Sequence, residues 1–176
     1  NQLNAGPRPN ILFILADDLG YTSLSCYGNR LVQTPNIDKI ASSGIKFTSG
    51  YVTPQSTPSR ACLLTGQYTA RNKMWHVIPY YGFPWARVEE PEFIENIPRE
   101  DFTLAEALKS AGYTTAILGK WHLSTYENDG YYTYLFEDKA HYYGFDYVNP
   151  RQDPPEYQSV GDKGVDFLTS EAIRFM

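Results

Sequence analysis

Residues 101–122 read Asp101-Phe102-Thr103-Leu104-Ala105-Glu106-Ala107-Leu108-Lys109-Ser110-Ala111-Gly112-Tyr113-Thr114-Thr115-Ala116-Ile117-Leu118-Gly119-Lys120-Trp121-His122. The first part, residues 101–112, is amphipathic, starts with capping residues and ends in glycine, which predicts a helix. Residues 113–119 are mostly β-branched or apolar and predict the next strand. A helix followed by a strand with polar residues at its carboxyl end is typical of an α/β sheet covered by helices.

The same alternation of apolar segments and capped helices occurs elsewhere in the chain. Residues 10–16 form a continuous apolar run that ends in two aspartates, as in a central strand of a parallel sheet. Residues 34–44 begin with Thr and Pro and end in Gly, which predicts a short helix, and residues 45–52 alternate like a strand. With a helix predicted from Lys163 to Met176, this order predicts an α/β fold with a mainly parallel sheet flanked by helices.

The composition is that of a soluble globular protein and argues against two classes of partner. Of the 176 residues, 42% are hydrophobic and 20% are charged, which is enough for one domain with a sizeable core. The net charge of -5 and the lack of a basic run argue against nucleic acid, and no segment approaches the length of a membrane span. The two cysteines, Cys26 and Cys62, permit one disulfide and do not define a compartment.

An anion site is one interpretation of the stretch Ser56-Thr57-Pro58-Ser59-Arg60. Ser56 or Thr57 can cap a helix and Pro58 suits its first turn, so we expect a helix that begins at Pro58 and stops near Gly66. A helix N-terminus attracts anions, and Arg60 can add a two-point contact to an oxyanion. The pattern therefore indicates either a nucleophile at an anion site or an ordinary capped helix with a surface Arg.

Two other polar groups follow predicted strands. Asp17 and Asp18 stand where the apolar run of residues 10–16 ends, and such a pair can bind a hard divalent cation or form an ordinary turn. Lys120 and His122 are two residues apart after the next strand, so in an extended segment they point the same way. A cation beside a titratable imidazole suits an anion site, whereas a surface Lys beside a packed His is the alternative.

Several separate segments, in the same order, resemble the sulfatase family. Residues 56–66 match its signature, which is Cys or Ser, any residue, Pro, Ser and Arg, followed by a small residue, an apolar pair and Thr-Gly. Gly119-Lys120-Trp121-His122 matches a second family motif residue for residue. The resemblance runs from Pro9 to about Phe175 and implies the alkaline-phosphatase-like fold of that family. Because sulfatases are much longer, it also implies that residues 10–176 are the N-terminal part of a catalytic domain. The rest of that domain and a C-terminal subdomain would then lie outside this chain. Residues 1–9 are predicted to be a disordered leader, because Pro7 and Pro9 discourage regular structure.

The resemblance also implies a modified residue and a metal ion. The first residue of the signature is converted to formylglycine in the family; Ser56 stands where most members have Cys, which points to the serine-type subset of bacterial sulfatases. A Cys-to-Ser replacement would give the same sequence. The aldehyde hydrate has two hydroxyls on one carbon, so that one can attack sulfur and the other can expel sulfate. Asp17, Asp18 and Ser56 are the implied ligands of a divalent cation, which is calcium by family habit, with magnesium as the alternative.

Arg60, Lys120 and His122 are the implied catalytic partners of Ser56. Arg60 would orient the aldehyde hydrate, Lys120 would neutralise developing charge, and His122 would donate a hydrogen bond or transfer a proton. The implied partners are a sulfated carbohydrate or other sulfate ester and a serine-modifying sulfatase maturation enzyme. The implied location is the periplasm or the exterior of the cell.

The expected function is hydrolysis of a sulfuric ester, in which R–O–SO3⁻ and water give R–OH and sulfate, with a sulfated glycan as substrate. Two alternatives stay open: a phosphodiesterase or phosphonate hydrolase of the same superfamily, and a non-catalytic binding protein with unmodified Ser56. Aromatic residues in Gly- and Pro-rich stretches, such as residues 79–85 and 131–134, can stack on sugar rings or pack onto the protein. For His76 and His141, which lie in aromatic stretches, we expect packing or exposure and no catalytic role.

Overall fold

The computed structural model describes residues 8–80, 82, 84–85, 87–125, 137–148 and 162–176. The chain divides into two units, Asn1–Tyr51 and Val52–Met176. Most of the predicted leader and the aromatic stretch of residues 131–134 lie outside the described residues.

In the first unit, a helix forms where the capping pattern predicts it. Helix α1 spans Pro35–Ser43, with Thr34 at the N-cap. The Thr34 hydroxyl does not cap the helix N–H groups; it accepts from the Ser25 backbone N–H at 3.0 Å and donates to Asp38 at 3.1 Å. The Ser25 hydroxyl donates to the same carboxylate at 2.6 Å, and this bond holds the pKa of Asp38 below its usual value. These bonds join α1 to the second of two 3-10 turns, which span Tyr21–Ser23 and Ser25–Tyr27.

The predicted strand of residues 10–16 is not a strand in the structure. Among the described residues it pairs with no other segment, and the five side chains from Ile11 to Leu15 are between 42% and 74% exposed. The prediction for residues 45–52 is wrong in the same way. A strand exists only through hydrogen bonds to a neighbouring strand, so an apolar pattern without a paired segment forms no sheet.

In the second unit, the signature residues form helix α2, Ser56–Thr65. It begins after Gln55, so the predicted cap at Ser56 or Thr57 is wrong by one or two residues, and it ends at Gly66 with a φ of 65°. That left-handed conformation suits glycine and lets the Gly66 N–H bond the Cys62 carbonyl, which closes the last turn. The end of the helix is therefore where the sequence predicts it.

Two shorter helices follow α2 before the strand pair. Helix α3 spans Thr69–Asn72, and the remaining described residues up to Thr103 are irregular. Helix α4 spans Leu104–Ser110 and starts at a capping box between Thr103 and Glu106. The predicted helix of residues 101–112 is therefore confirmed with shorter bounds, because its cap is Thr103 and not Asp101.

A parallel strand pair forms in the segment after α4. Strand β1, Ala116–Ile117, pairs with strand β2, Tyr147–Val148, so that Ala116 faces Tyr147 and Ile117 faces Val148. Next to the pair, the Asp146 carboxylate accepts from the Thr115 N–H at 3.0 Å and from the Lys109 ammonium at 2.5 Å. The sequence predicts a loop where β2 lies, because a strand of two residues shows no detectable period.

Helical segments precede and follow β2 along the chain. Helix α5, Glu137–Ala140, and a 3-10 turn, His141–Tyr143, precede β2, and helix α6, Asp162–Phe175, follows it. On α6 the predicted apolar residues Val165 and Ile173 are exposed, whereas Glu171 is buried and accepts a hydrogen bond from the Tyr147 hydroxyl. None of the described helices is long and apolar enough to cross a membrane.

The core of the second unit surrounds Trp121 and Leu123, which are 1% and 0% exposed. The buried residues that pack with them come from α2, α4, α5, the 3-10 turn after α5, β2 and the loops: Ala61, Met74, Ile97, Ala105, Ala140, Tyr143, Phe145 and Val148. Cys26 and Cys62 are both free thiols. The architecture is α/β, with helices beside a small parallel sheet.

Candidate active site

The start of helix α2 carries the predicted nucleophile. Ser56 is the first helical residue, and Thr57, Pro58 and Arg60 behind it are buried. The Lys120 ammonium donates a hydrogen bond to the Ser56 hydroxyl oxygen at 2.9 Å. Arg60 donates from one guanidinium nitrogen to the Lys120 backbone carbonyl at 2.6 Å. The structure therefore brings together three of the predicted site residues, Ser56, Arg60 and Lys120, although 60 and more residues separate the two segments.

Lys120 and His122 lie in a turn, and the expectation that an extended strand aligns them is wrong. Gly119 has a φ of 89° and His122 a φ of 58°, so the chain is left-handed at two points. Between and after the two polar residues, Trp121 and Leu123 enter the core. Lys120 and His122 alternate with these two residues and are half-buried, and the Nδ1 atom of His122 is itself buried.

His122 is bound to α2 and to the loop before Pro79. Its Nε2 atom lies 2.7 Å from the Ile78 carbonyl oxygen, and its own carbonyl accepts from the Thr57 hydroxyl at 3.0 Å. The Ile78 N–H donates to the same Thr57 hydroxyl oxygen at 3.3 Å. The neighbouring Val77 N–H donates to the Gln55 side-chain oxygen at 3.0 Å. The loop is therefore held against the helix start by Gln55 and Thr57, the two residues on either side of Ser56.

The electrostatics of this end of α2 favour an anion. The first turn of α2, all of whose residues are described, carries no acidic side chain. The positive end of the helix dipole lies here, and the Lys120 ammonium contacts Ser56, the first residue of the helix. Since sulfate and phosphate esters are anionic, the arrangement can hold either beside the Ser56 oxygen.

Asp17 and Asp18 lie in the first unit, at a bend of the chain. Both are exposed, and Asp18 has a φ of 55°. A left-handed residue turns the chain, which removes the strict alternation of a strand and allows neighbouring carboxylates to serve one ion. Their oxygen donors are the type that calcium or magnesium prefers, so the residues fit a hard cation. Within the described residues, no group of three or more His, Cys, Asp or Glu side chains converges on one point.

An aromatic cluster adjoins the loop that binds His122. It consists of Trp75, His76, Tyr80 and Phe93, with the Trp75 ring 5.0 Å from Tyr80 and 5.3 Å from Phe93. All four are half-buried, so the cluster both packs and keeps some ring surface open. Burial and the hydrogen bond to Glu90 raise the pKa of Tyr80 to about 12. His141, in contrast, is exposed, as the sequence predicts, and its ring lies tilted against Tyr142.

Sequence reasoning missed three contributors to this arrangement. Gln55 and Thr57 bind the loop through their side chains, and Ile78 offers its backbone carbonyl to His122. A backbone carbonyl has no residue-type signal, and Thr57 was expected to cap the helix. The one available signal was that Thr57 lies beside the proposed nucleophile, where a polar side chain must find a partner if it is buried.

Known proteins similar to this chain share one family. The family model described as Sulfatase matches residues 9–175. Human steryl-sulfatase is 37% identical over 180 residues, which cover 97% of this chain and 30% of that protein. An N-acetylglucosamine-6-O-sulfatase of Bacteroides thetaiotaomicron is 36% identical over 172 residues, or 96% of this chain and 27% of that protein.

Solved structures agree with the sequence comparisons. A structure from work on the metabolism of multiple glycosaminoglycans by Bacteroides thetaiotaomicron has a TM-score of 0.63 and 40% sequence identity. The match covers 80% of this chain and 28% of that one, so the chain spans less than a third of the length of the proteins it matches. A family model over nearly every residue, with a matching α/β fold, shows that this chain belongs to the sulfatase family.

Proposed function

We propose that the protein hydrolyses organic sulfate esters at the N-terminal end of helix α2. The observation that carries the proposal is the 2.9 Å hydrogen bond from the Lys120 ammonium to the Ser56 oxygen. It sets a cation on the atom that the family signature uses as nucleophile, at a helix end that favours anions. Family membership supports sulfate over other anions.

The role proposed for Ser56 depends on its conversion to formylglycine. A serine that attacked sulfur would be left as a stable sulfate ester, and one turnover would inactivate the enzyme. The hydrated aldehyde supplies two hydroxyls on one carbon, so that one can bond to sulfur and the other can later release sulfate. A serine-modifying maturation enzyme is therefore a proposed partner.

The roles of the surrounding side chains follow from their contacts. Lys120 holds the Ser56 oxygen and neutralises negative charge that develops on the sulfuryl group. Arg60 donates to the Lys120 carbonyl and so supports the segment that carries Lys120, and its proposed role is to orient the aldehyde hydrate. His122, held by Ile78, accepts or donates the proton that moves when the ester bond breaks.

A divalent cation completes the proposal. Asp17, Asp18 and Ser56 would hold it, and calcium suits their oxygen donors, with magnesium as the alternative. When bound, such an ion draws charge from the sulfate oxygens and favours ionisation of the nucleophile.

The proposed substrate is a sulfated glycan. One relative is named for N-acetylglucosamine 6-O-sulfate and one similar structure belongs to glycosaminoglycan metabolism. The aromatic cluster of Trp75, His76, Tyr80 and Phe93 adjoins the His122 loop and offers flat apolar ring surface to a sugar. Such a substrate is met outside the cytoplasm, so we propose a periplasmic or extracellular location.

The decisive experiment joins mass measurement to parallel assays on the full-length protein. The protein is produced with a serine-type maturation enzyme, and loss of about two mass units at the peptide that contains Ser56 reports the aldehyde. Initial rates are then compared on an aryl sulfate, an aryl phosphate, a phosphonate ester and sulfated disaccharides. Faster turnover of sulfate esters, together with the mass shift, is the expected result.

The other outcomes select the alternatives. Faster turnover of phosphate or phosphonate esters would favour a phosphodiesterase or phosphonate hydrolase of the same superfamily. An unshifted mass with no turnover of any ester would favour a non-catalytic binding protein. Turnover of aryl sulfate but of no sulfated sugar would retain the sulfatase proposal and remove the glycan.

A further inference from the structure

We propose that Thr57 is a positioning residue that fixes the tautomer and orientation of His122. Three hydrogen bonds among Thr57, Ile78 and His122 carry the geometry. The catalytic consequence rests on the proposed role of His122 in sulfate ester hydrolysis. Thr57 itself touches no reacting group in this account; it acts through His122.

The Thr57 hydroxyl joins two segments that are far apart in sequence. It is fully buried, at 0% exposure, and it donates to the His122 carbonyl at 3.0 Å while it accepts from the Ile78 N–H at 3.3 Å. The bond to His122 spans 65 residues and the bond to Ile78 spans 21. One hydroxyl group thus uses its donor and an acceptor site on the two segments that meet at His122.

The third contact closes a ring of hydrogen bonds. His122 Nε2 lies 2.7 Å from the carbonyl oxygen of Ile78, the same residue whose N–H binds Thr57. A carbonyl oxygen can only accept, so Nε2 must carry the proton in this bond. In the neutral imidazole, the lone pair is therefore on Nδ1, which is a buried atom.

The backbone of His122 needs such support. Its φ of 58° is left-handed, a conformation that few residues with a side chain adopt and that costs free energy unless surrounding contacts hold it. The Thr57 bond acts on the carbonyl of this same residue. Loss of the hydroxyl would release the turn, and the ring could then rotate away from Ile78.

The consequence is that the start of α2 sets which nitrogen of His122 carries the proton. Ser56 and Thr57 are neighbours in the signature. Ser56 carries the oxygen that is proposed to react, and Thr57 positions His122, the residue proposed to transfer the proton. This role differs from helix capping, which the sequence predicts for Thr57 and the structure excludes.

The first test measures the tautomer and needs no activity. Selective 15N labelling of histidine in the full-length protein, with His122→Gln to assign the signal, distinguishes a protonated Nε2 from a protonated Nδ1. We expect the Nε2–H tautomer in the native protein. In Thr57→Val, which keeps the side-chain shape, we expect the signal to shift toward a mixture of tautomers, and in Thr57→Ser we expect the native signal.

The second test measures kinetics with a matched control. Thr103 is also buried, at 1% exposure, and its hydroxyl donates to the Tyr143 carbonyl at 2.8 Å and accepts from the Glu106 N–H at 3.1 Å. Thr103→Val therefore removes the same two kinds of bond at a place that does not touch His122. We expect Thr57→Val to lower kcat about 10- to 100-fold with KM changed less than about threefold. Thr103→Val should lower only the melting temperature, and Thr57→Ser should keep kcat within about threefold.

Each outcome decides the proposal. A native Nδ1–H tautomer would overturn it even if Thr57→Val does not fold, and so would a kcat loss as large in Thr103→Val as in Thr57→Val. If the native protein hydrolyses no sulfate ester, the proposed function fails, yet the tautomer of His122 and its response to Thr57→Val still test the positioning role.

Discussion

Two turns of this chain share one backbone feature and differ in everything around it. Each follows an apolar segment, contains polar residues that the family resemblance assigns to the site, and includes a left-handed residue other than glycine. In the first unit this residue is Asp18, with a φ of 55°, and in the second it is His122, with a φ of 58°. The apolar run before Asp18 is exposed, whereas Trp121 and Leu123 beside His122 are buried.

The difference shows two ways in which a protein can set a functional turn. The Lys120–His122 turn is held by its own unit, through Thr57, Arg60 and the Ile78 carbonyl. Both residues of the Asp17–Asp18 turn are exposed, so we expect a bound cation to fix its conformation. The first kind of turn should respond to substitutions in its surroundings, and the second to removal of metal.

The largest expected effect tests the turn that the protein itself holds. Lys120→Met in the full-length enzyme removes the ammonium from Ser56 and keeps the length of the side chain. We expect kcat on an aryl sulfate to fall about 10³-fold, as when one charge-stabilising donor is lost, with no change in calcium dependence.

Lys109→Met is the control for Lys120→Met, because Lys109 binds Asp146 and lies outside the site. Its kcat should match the native value. A Lys120→Met enzyme that retains kcat within about threefold would contradict the proposed charge role.

The next effect compares the packing of the two units. A Cβ on Gly144, at a φ of 84°, would lie 2.4 Å from the Glu106 backbone nitrogen at the start of α4. Gly28 in the first unit, at a φ of 101°, has open space around its Cβ position. We expect Gly144→Ala to cost about 3 kcal/mol and Gly28→Ala about 1 kcal/mol, from the backbone alone, in denaturant unfolding. Equal costs would contradict the predicted clash at Gly144, because they would show that the second unit moves to accommodate the added carbon.

Removal of metal should act on the exposed turn. With free calcium a hundred times above its Kd, binding stabilises the native protein by about 2.7 kcal/mol, and a chelator should lower the melting temperature accordingly. In a protein with both Asp17→Asn and Asp18→Asn, we expect the chelator to have no effect. Asp38→Asn, in the same unit but bonded to Ser25, should lose stability equally with and without calcium. A native protein whose melting temperature ignores the chelator would contradict the cation proposal.

The smallest effect concerns the residues that support β1. The Lys109 ammonium and the Thr115 N–H hold the pKa of Asp146 below its usual value, so the carboxylate stabilises the fold above its unfolded pKa of about 3.9. That stabilisation is lost as the pH falls through the lower folded value. The Asp146 and Lys109 side chains are 31% and 46% exposed, respectively. We therefore expect Asp146→Asn to lower the free energy of unfolding by less than about 1 kcal/mol at pH 7. Unfolding curves of the two proteins should converge as the pH falls below the lowered pKa of Asp146, and a constant difference across pH would assign the effect to packing.

Patterns within one segment were predictable from the sequence, and contacts between segments were not. The Thr103–Glu106 capping box and the stop at Gly66 depend on residues within one turn, and both are where their patterns place them. The apolar run of residues 10–16 fails as a strand because the pattern cannot supply a partner.

The candidate site shows the same limit. Lys120 meets Ser56 as the family motifs imply, but through a left-handed turn and not through the alternation of a strand. The role of Thr57 requires knowledge of where the Ile78 backbone lies, which no residue type records. Family resemblance identifies the candidate residues, whereas the hydrogen bonds that orient them are seen only in the three-dimensional structure.

The distance along the chain between the two halves of the site has a consequence for its synthesis. The bonds from Ser56 to Lys120 and from Thr57 to His122 span 64 and 65 residues. At ordinary translation rates, about 3 to 13 seconds pass between the synthesis of one side and of the other. During that time Ser56 has been synthesised but Lys120 has not, and Thr57 lacks the His122 carbonyl that it later binds. A modifying enzyme that acts on Ser56 has this interval before the residues that enclose it exist.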